Sequence, residues 1–112
     1  MPKIREYIRE DGSNPYEKWF VSLNSQAAAK IAVAITRLEL GNISNVKWFS
    51  GIGEYKINWG PGYRIYLAME EDRLIILFGG GTKKTKKKQQ DDIKKAKELL
   101  AEYNSRKKKK VN

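Results

Sequence analysis

The sequence contains no cysteine and no histidine. Without cysteine there are no disulfides and no thiolate metal sites. Without histidine the usual metal ligand and the usual general base are both missing. No apolar run approaches the roughly 20 residues that a membrane-spanning helix needs. The N-terminus lacks the charged, apolar and small-residue blocks of a signal peptide. These gaps are compatible with the cytoplasm, where the protein is expected to work, and no metal or other cofactor is expected. Acidic residues are also few for so basic a chain, 13 against 23 Lys and Arg, which leaves a net charge of +10.

That charge is unevenly spread. Residues 1–82 hold 10 basic and 9 acidic side chains, whereas residues 83–112 hold 13 and 4. A nearly neutral body therefore carries a strongly basic C-terminal segment, and such a field attracts polyanions, nucleic acid first among them. With 112 residues, 40% hydrophobic and twelve of them aromatic, the chain suits one domain with one modest core. We expect that domain to span 1–104. Residues 105–112, with Arg106 to Lys110 all basic, read as a solvated, disordered tail.

In chain order, Lys3–Arg9 alternates weakly and predicts a first strand with Ile4 and Ile8 on its apolar side. Asn14 then has the place of an N-cap, with Pro15 at the first helical position and Glu17 completing a capping box. Tyr16, Trp19, Phe20 and Leu23 form an apolar stripe behind it. Ser25 is expected to cap a second helix over Gln26 to Leu40, ended by Gly41. Its stripe is Ala27, Ile31, Ala34, Ile35 and Leu38, and the short link makes the two helices an antiparallel hairpin. A short strand is expected at Val46–Phe49. Leu74–Phe78, apolar on both faces, predicts a central strand that Gly79-Gly80-Gly81 ends. A lysine-rich joint then leads to a final helix from about Gln90 to Tyr103, striped by Ile93, Ala96, Leu100 and Tyr103. The result is a small α+β domain, β-αα-β(3-4)-α, with an antiparallel-rich sheet packed against a helical hairpin and a C-terminal helix.

The stretch Glu54 to Tyr66, EYKINWGPGYRIY, reads as a β-hairpin. Tyr55, Ile57 and Trp59 alternate with Glu54, Lys56 and Asn58, and after the turn Tyr63, Ile65 and Leu67 alternate with Arg64, Tyr66 and Ala68. A three-residue Gly60-Pro61-Gly62 turn would set Lys56 opposite Tyr66 and Asn58 opposite Arg64. Two cations, a phenol and the Glu54 carboxylate then share one face, which is the candidate site. The bland alternative is a cross-strand ion pair between Arg64 and Glu54 on a wet face.

The order of elements resembles the RelE/ParE toxin superfamily. So do Gly53-Glu54-Tyr55-Lys56-Ile57, Gly60-Pro61-Gly62-Tyr63-Arg64-Ile65-Tyr66, the Gly79-Gly80-Gly81 block, and Lys83-Lys84 before Asp92-Ile93-Lys94-Lys95-Ala96. The likeness is greatest to the addiction-module killer (HigB-like) branch and runs from about Tyr7 to Tyr103. It implies the toxin of a type II toxin–antitoxin pair. A cognate antitoxin, often of helix-turn-helix type, would silence the toxin in a hetero-oligomer.

RelE and HigB relatives are mRNA interferases that cut messages on the ribosome, whereas ParE relatives share the fold and poison DNA gyrase. In the cleaving branch the 2′-hydroxyl is the internal nucleophile, so the protein must position the strand and stabilise phosphorane charge. Arg64 matches the family's strand arginine and is the expected phosphate clamp. Lys56 stands where relatives usually carry arginine, and so keeps the charge without the fork. Tyr66 would stack on a base or move a proton, and Glu54 would serve as base or pair with the cations. Lys47, Lys83 and Lys84 are the expected RNA-binding lysines. A gyrase-inhibiting toxin, or an inactive basic module whose partner is the antitoxin, are the alternatives.

Overall fold

The computed structural model describes residues 1–110. Its element order is β1 (Lys3–Glu6), α1 (Pro15–Val21), α2 (Ser25–Glu39), β2 (Val46–Phe49), β3 (Ile52–Ile57), β4 (Tyr63–Glu70), β5 (Leu74–Thr82) and α3 (Lys86–Lys110). The strands form one sheet in the order β1-β5-β4-β3-β2. Only β1 and β5 run parallel among the described residues; the other neighbours are antiparallel. This is the expected α+β architecture.

Helices cover both faces of the sheet. Tyr55, Ile65, Leu67, Ile75 and Leu77 meet Ile31, Ala34 and Leu38 of the α1–α2 hairpin in one core. On the other side Ile52, Tyr66, Ala68, Ile76 and Phe78 pack under Ala96 and Leu99 of α3. β5 lies second from the edge and is covered on both faces, which explains its unbroken apolar run.

Local signals account for most helix starts. Asn14 Oδ1 accepts from the Glu17 backbone N–H at 3.0 Å, so α1 begins where its cap predicts. The cap of α2 is Asn24 and not Ser25: its side chain accepts from the Ala27 N–H at 2.8 Å, and Ser25 is the first helical residue. Both residues suit the position, and the link between the helices closes one residue earlier than expected.

Four further expectations are corrected. β1 stops at Glu6, after which Tyr7 turns into the α3 core and Ile8 is exposed. The glycine triplet does not end β5 but continues it to Thr82. A Cβ on Gly80 would lie 2.5 Å from the Trp19 ring, and one on Gly81 would lie 2.4 Å from Asp92 Oδ2. Close approach, and not chain reversal, is what these two glycines provide. α3 begins at Lys86, inside the lysine-rich joint, and Ser105–Lys110, expected as tail, continues it. Residues 111–112 of that tail lie outside the described residues.

The fourth correction is the hairpin register. Ile57 pairs with Tyr63 and Lys56 with Arg64, leaving a five-residue loop, Asn58 to Gly62. Trp59 leaves the strand and stacks on Tyr63, with ring centroids 6.3 Å apart. The pairing has moved two residues from the expected one. A shift of two keeps every side chain on its face, so the apolar and polar sets stay separated.

Candidate functional site

The register builds the site in two rows. Lys47 of β2 lies beside Glu54 of β3, which lies beside Tyr66 of β4 and then Gly79 of β5. The next row holds Lys56, Arg64 and Gly81. Five of the expected site residues are thus brought onto one sheet face. The two glycines leave the β5 side of that face free of side chains, and Asp92 of α3 fills the space over Gly81.

The face is not the wet one expected from alternation, because the start of α3 lies over it. Glu54 is fully buried and the Arg64 side chain is 7% exposed, with Arg64 Nε 3.5 Å from Glu54 Oε2. Tyr66 Oη donates to Glu54 Oε2 at 3.1 Å. Gln89 of α3 donates through Nε2 to both carboxylate oxygens, at 3.2 and 2.9 Å. The Glu54 carboxylate is therefore held by two donors and a cation in a dry setting, and acting as a base would require one of them to leave. At this burial the pair is costly to break from one side.

Arg64 is less well matched than its partner. Its contact with Glu54 meets an ion-pair distance without the geometry of a hydrogen bond, and Nε is the one buried, unpartnered side-chain atom among the described residues. With 7% of the side chain exposed, little of the guanidinium is open to an anion while α3 is seated.

Tyr66 is placed differently from either expected role. Its ring is 2% exposed and packs in the α3 core, so no base can stack on it while α3 is seated. Burial, followed by the nearby Glu54 and Asp92 carboxylates, raises its pKa well above the ordinary phenol value. It is a fixed hydrogen-bond donor at neutral pH.

The lysines stand outside this buried cluster. Lys56, directly across from Arg64, is exposed. Lys47 is exposed on edge strand β2, with Nζ 5.2 Å from the centre of the Phe49 ring. Lys83 follows β5, and its backbone N–H donates to Gly62 O at 2.9 Å, which ties it to the β3–β4 loop; it and Lys84 are exposed. Two polar residues that shape the site, Gln89 and Asp92, were missed by sequence reasoning. Gln89 was legible in principle: it precedes Ile93 by four residues, on the same stripe as Ala96 and Leu100. No group of three or more side chains able to hold a metal ion lies together among the described residues.

Two comparisons bear on this arrangement. The family described as phage derived protein Gp49-like (DUF891) matches residues 18–101, which is 84 of the 112. The match takes in the end of α1, all of α2, strands β2 to β5 and most of α3. A protein of Haemophilus influenzae, described as uncharacterized, is 43% identical over 62 residues. That alignment covers 54% of this chain and 63% of the relative's own length.

Proposed function

We infer function from one premise: the chain belongs to the phage-derived Gp49-like family, a toxin-like family related to RelE and the addiction modules. An antitoxin partner follows from that kinship. The finer reading is our own. We propose that this toxin is an mRNA endoribonuclease of the HigB-like kind, cutting messages on the cytoplasmic ribosome without a metal.

The observation that carries this reading is Arg64, set across from exposed Lys56, with a guanidinium that Glu54 only partly satisfies. A phosphodiester approaching from the Lys56 side meets two cations on rigid, paired strands. In the reaction the 2′-oxygen attacks the adjacent phosphorus and forms the cyclic ester. The bond to the 5′-oxygen breaks, and a proton passes from the 2′-hydroxyl to the leaving 5′-oxygen through solvent or ribosome. Arg64 grips two non-bridging oxygens with its fork, and Lys56 adds charge where the phosphorane becomes most negative. Glu54 and Gln89 fix the arginine's position. Lys83 and Lys84 extend the positive surface beyond the end of β5.

One observation favours a second reading. Glu54 and Arg64 also satisfy the description of a structural buried pair, which is what a gyrase-directed, ParE-like toxin or an inactive antitoxin-binding module would need. Expressing the protein in cells separates the readings. Message ends that fall within codons and fade in Lys56→Ala support cleavage. Intact messages with accumulating gyrase–DNA breaks support the ParE-like reading. Silencing of either effect by a co-expressed antitoxin tests the addiction-module premise.

A further inference from the structure

α3 divides the space above its sheet face into two channels. On the α1 side two of the four lining cations are engaged, Arg9 with Glu102 at 3.0 Å and Lys88 with Asp92 at 2.5 Å, and Glu17 lies there as well. The β2 side differs. There a groove of about 710 Å³ runs between β2 and α3, lined by Lys47, Lys86, Lys94, Lys97, Phe49 and Gln89. None of these four lysines is in an ion pair among the described residues, and Glu98 is the single acidic side chain along the groove.

We propose that this groove is a track for a single RNA strand whose phosphates the four lysines bind. The inference rests on the nuclease reading above and adds to it the path the substrate takes. Three features of the groove favour RNA. Unpaired lysines on two separate elements form a positive trough, which is how sequence-tolerant single-strand sites hold a backbone. The half-buried Phe49 ring is the groove's aromatic surface for a base, reached as Lys47, whose Nζ lies 5.2 Å from the ring centre, turns to a phosphate. Gln89, on the groove wall, donates to Glu54, which lies beside Arg64, so the groove runs along the buried cluster. An acidic peptide would meet the lysines equally well, but it brings no base for Phe49.

The test is fluorescence anisotropy of the full chain with a labelled 2′-O-methyl oligoribonucleotide, which binds but cannot be cut. Four phosphate contacts predict a slope of log affinity against log salt of about −3, at roughly 0.7 per phosphate. Lys86→Gln/Lys94→Gln/Lys97→Gln should bring it to about −1 on the same basis. Phe49→Leu should weaken binding several-fold and leave the slope alone. A triple variant with the wild-type slope, or a poly-glutamate peptide bound as tightly as the RNA, overturns the assignment. The two proposals fail separately. Normal RNA binding by a protein that never cuts a message removes the nuclease reading and keeps the groove. Normal cutting by the triple variant removes the groove and keeps the nuclease.

Discussion

Arg64 sits at a balance between a structural and a chemical role. Its charge is matched by Glu54, yet its Nε lacks a hydrogen bond. Arg64→Ala would leave the Glu54 carboxylate in a dry pocket with only Tyr66 and Gln89 as donors. Breaking a buried pair from one side costs about 3–5 kcal/mol, whereas removing both charges costs much less. We therefore expect Arg64→Ala to lower the urea midpoint sharply and Glu54→Gln/Arg64→Met to recover most of the loss. Loss of activity in Arg64→Ala alone is consequently no proof of catalysis, and exposed Lys56 is the cleaner probe. Gly80 is a second informative residue. A methyl group there meets the Trp19 ring at 2.5 Å, so Gly80→Ala should cost about 1–3 kcal/mol by overpacking. In a Trp19→Ala background the same change should cost far less, as a double-mutant cycle in urea will read.

At the level of elements, α3 is the piece that turns a sheet face into a site, and its far end is tied down by polar contacts. Glu102 accepts from Tyr7 Oη at 2.5 Å and from Arg9 Nη2 at 3.0 Å. Glu70 accepts from Tyr103 Oη at 2.5 Å and from Lys107 Nζ. The hydrogen bonds from Arg9 and Tyr7 lower the pKa of Glu102, and those from Lys107 and Tyr103 lower that of Glu70. A carboxylate with a lowered folded-state pKa stabilises the fold above its unfolded value, about 4.3 for Glu. That stability disappears as pH falls through the folded value. Glu70→Gln/Glu102→Gln should therefore flatten the acid limb of the urea-midpoint profile below about pH 5. The alkaline limb has the opposite origin. Burial pushes Tyr16 and Tyr103 up to about 12, so their contribution is complete below the ordinary phenol range and is lost as pH rises through 12.

For the molecule as a whole, the faces and the α+β layers were legible from sequence, and the place where α3 docks on its sheet face was not. Alternation in Glu54–Tyr66 sorted side chains correctly, because a period of two survives a register error of two residues. The error itself came from the loop: the Gly60-Pro61-Gly62 signal suggested three residues, while Trp59 leaves β3 and stacks on Tyr63. Glycines 79–81 read as a terminator because local propensity disfavours them in strands. Their use here depends on Trp19 and Asp92, which are distant in sequence. The burial of Glu54, Arg64 and Tyr66 was hidden for the same reason. It depends on where α3 docks, and only the polar Gln89 on an apolar stripe hinted that the helix covers something polar.

The claim on which the account turns is that Arg64 and Lys56 hold a phosphodiester while it is cut. The direct measurement is mapping of message 5′ ends in a reconstituted translation reaction with wild-type protein, Lys56→Ala and Arg64→Lys, each shown folded by its urea midpoint. We predict new ends within codons for the wild type, fewer by roughly a hundredfold in each variant, as expected for removing one transition-state donor. Equal cutting by all three, or translation halted by a folded wild-type protein that leaves every message whole, would contradict it.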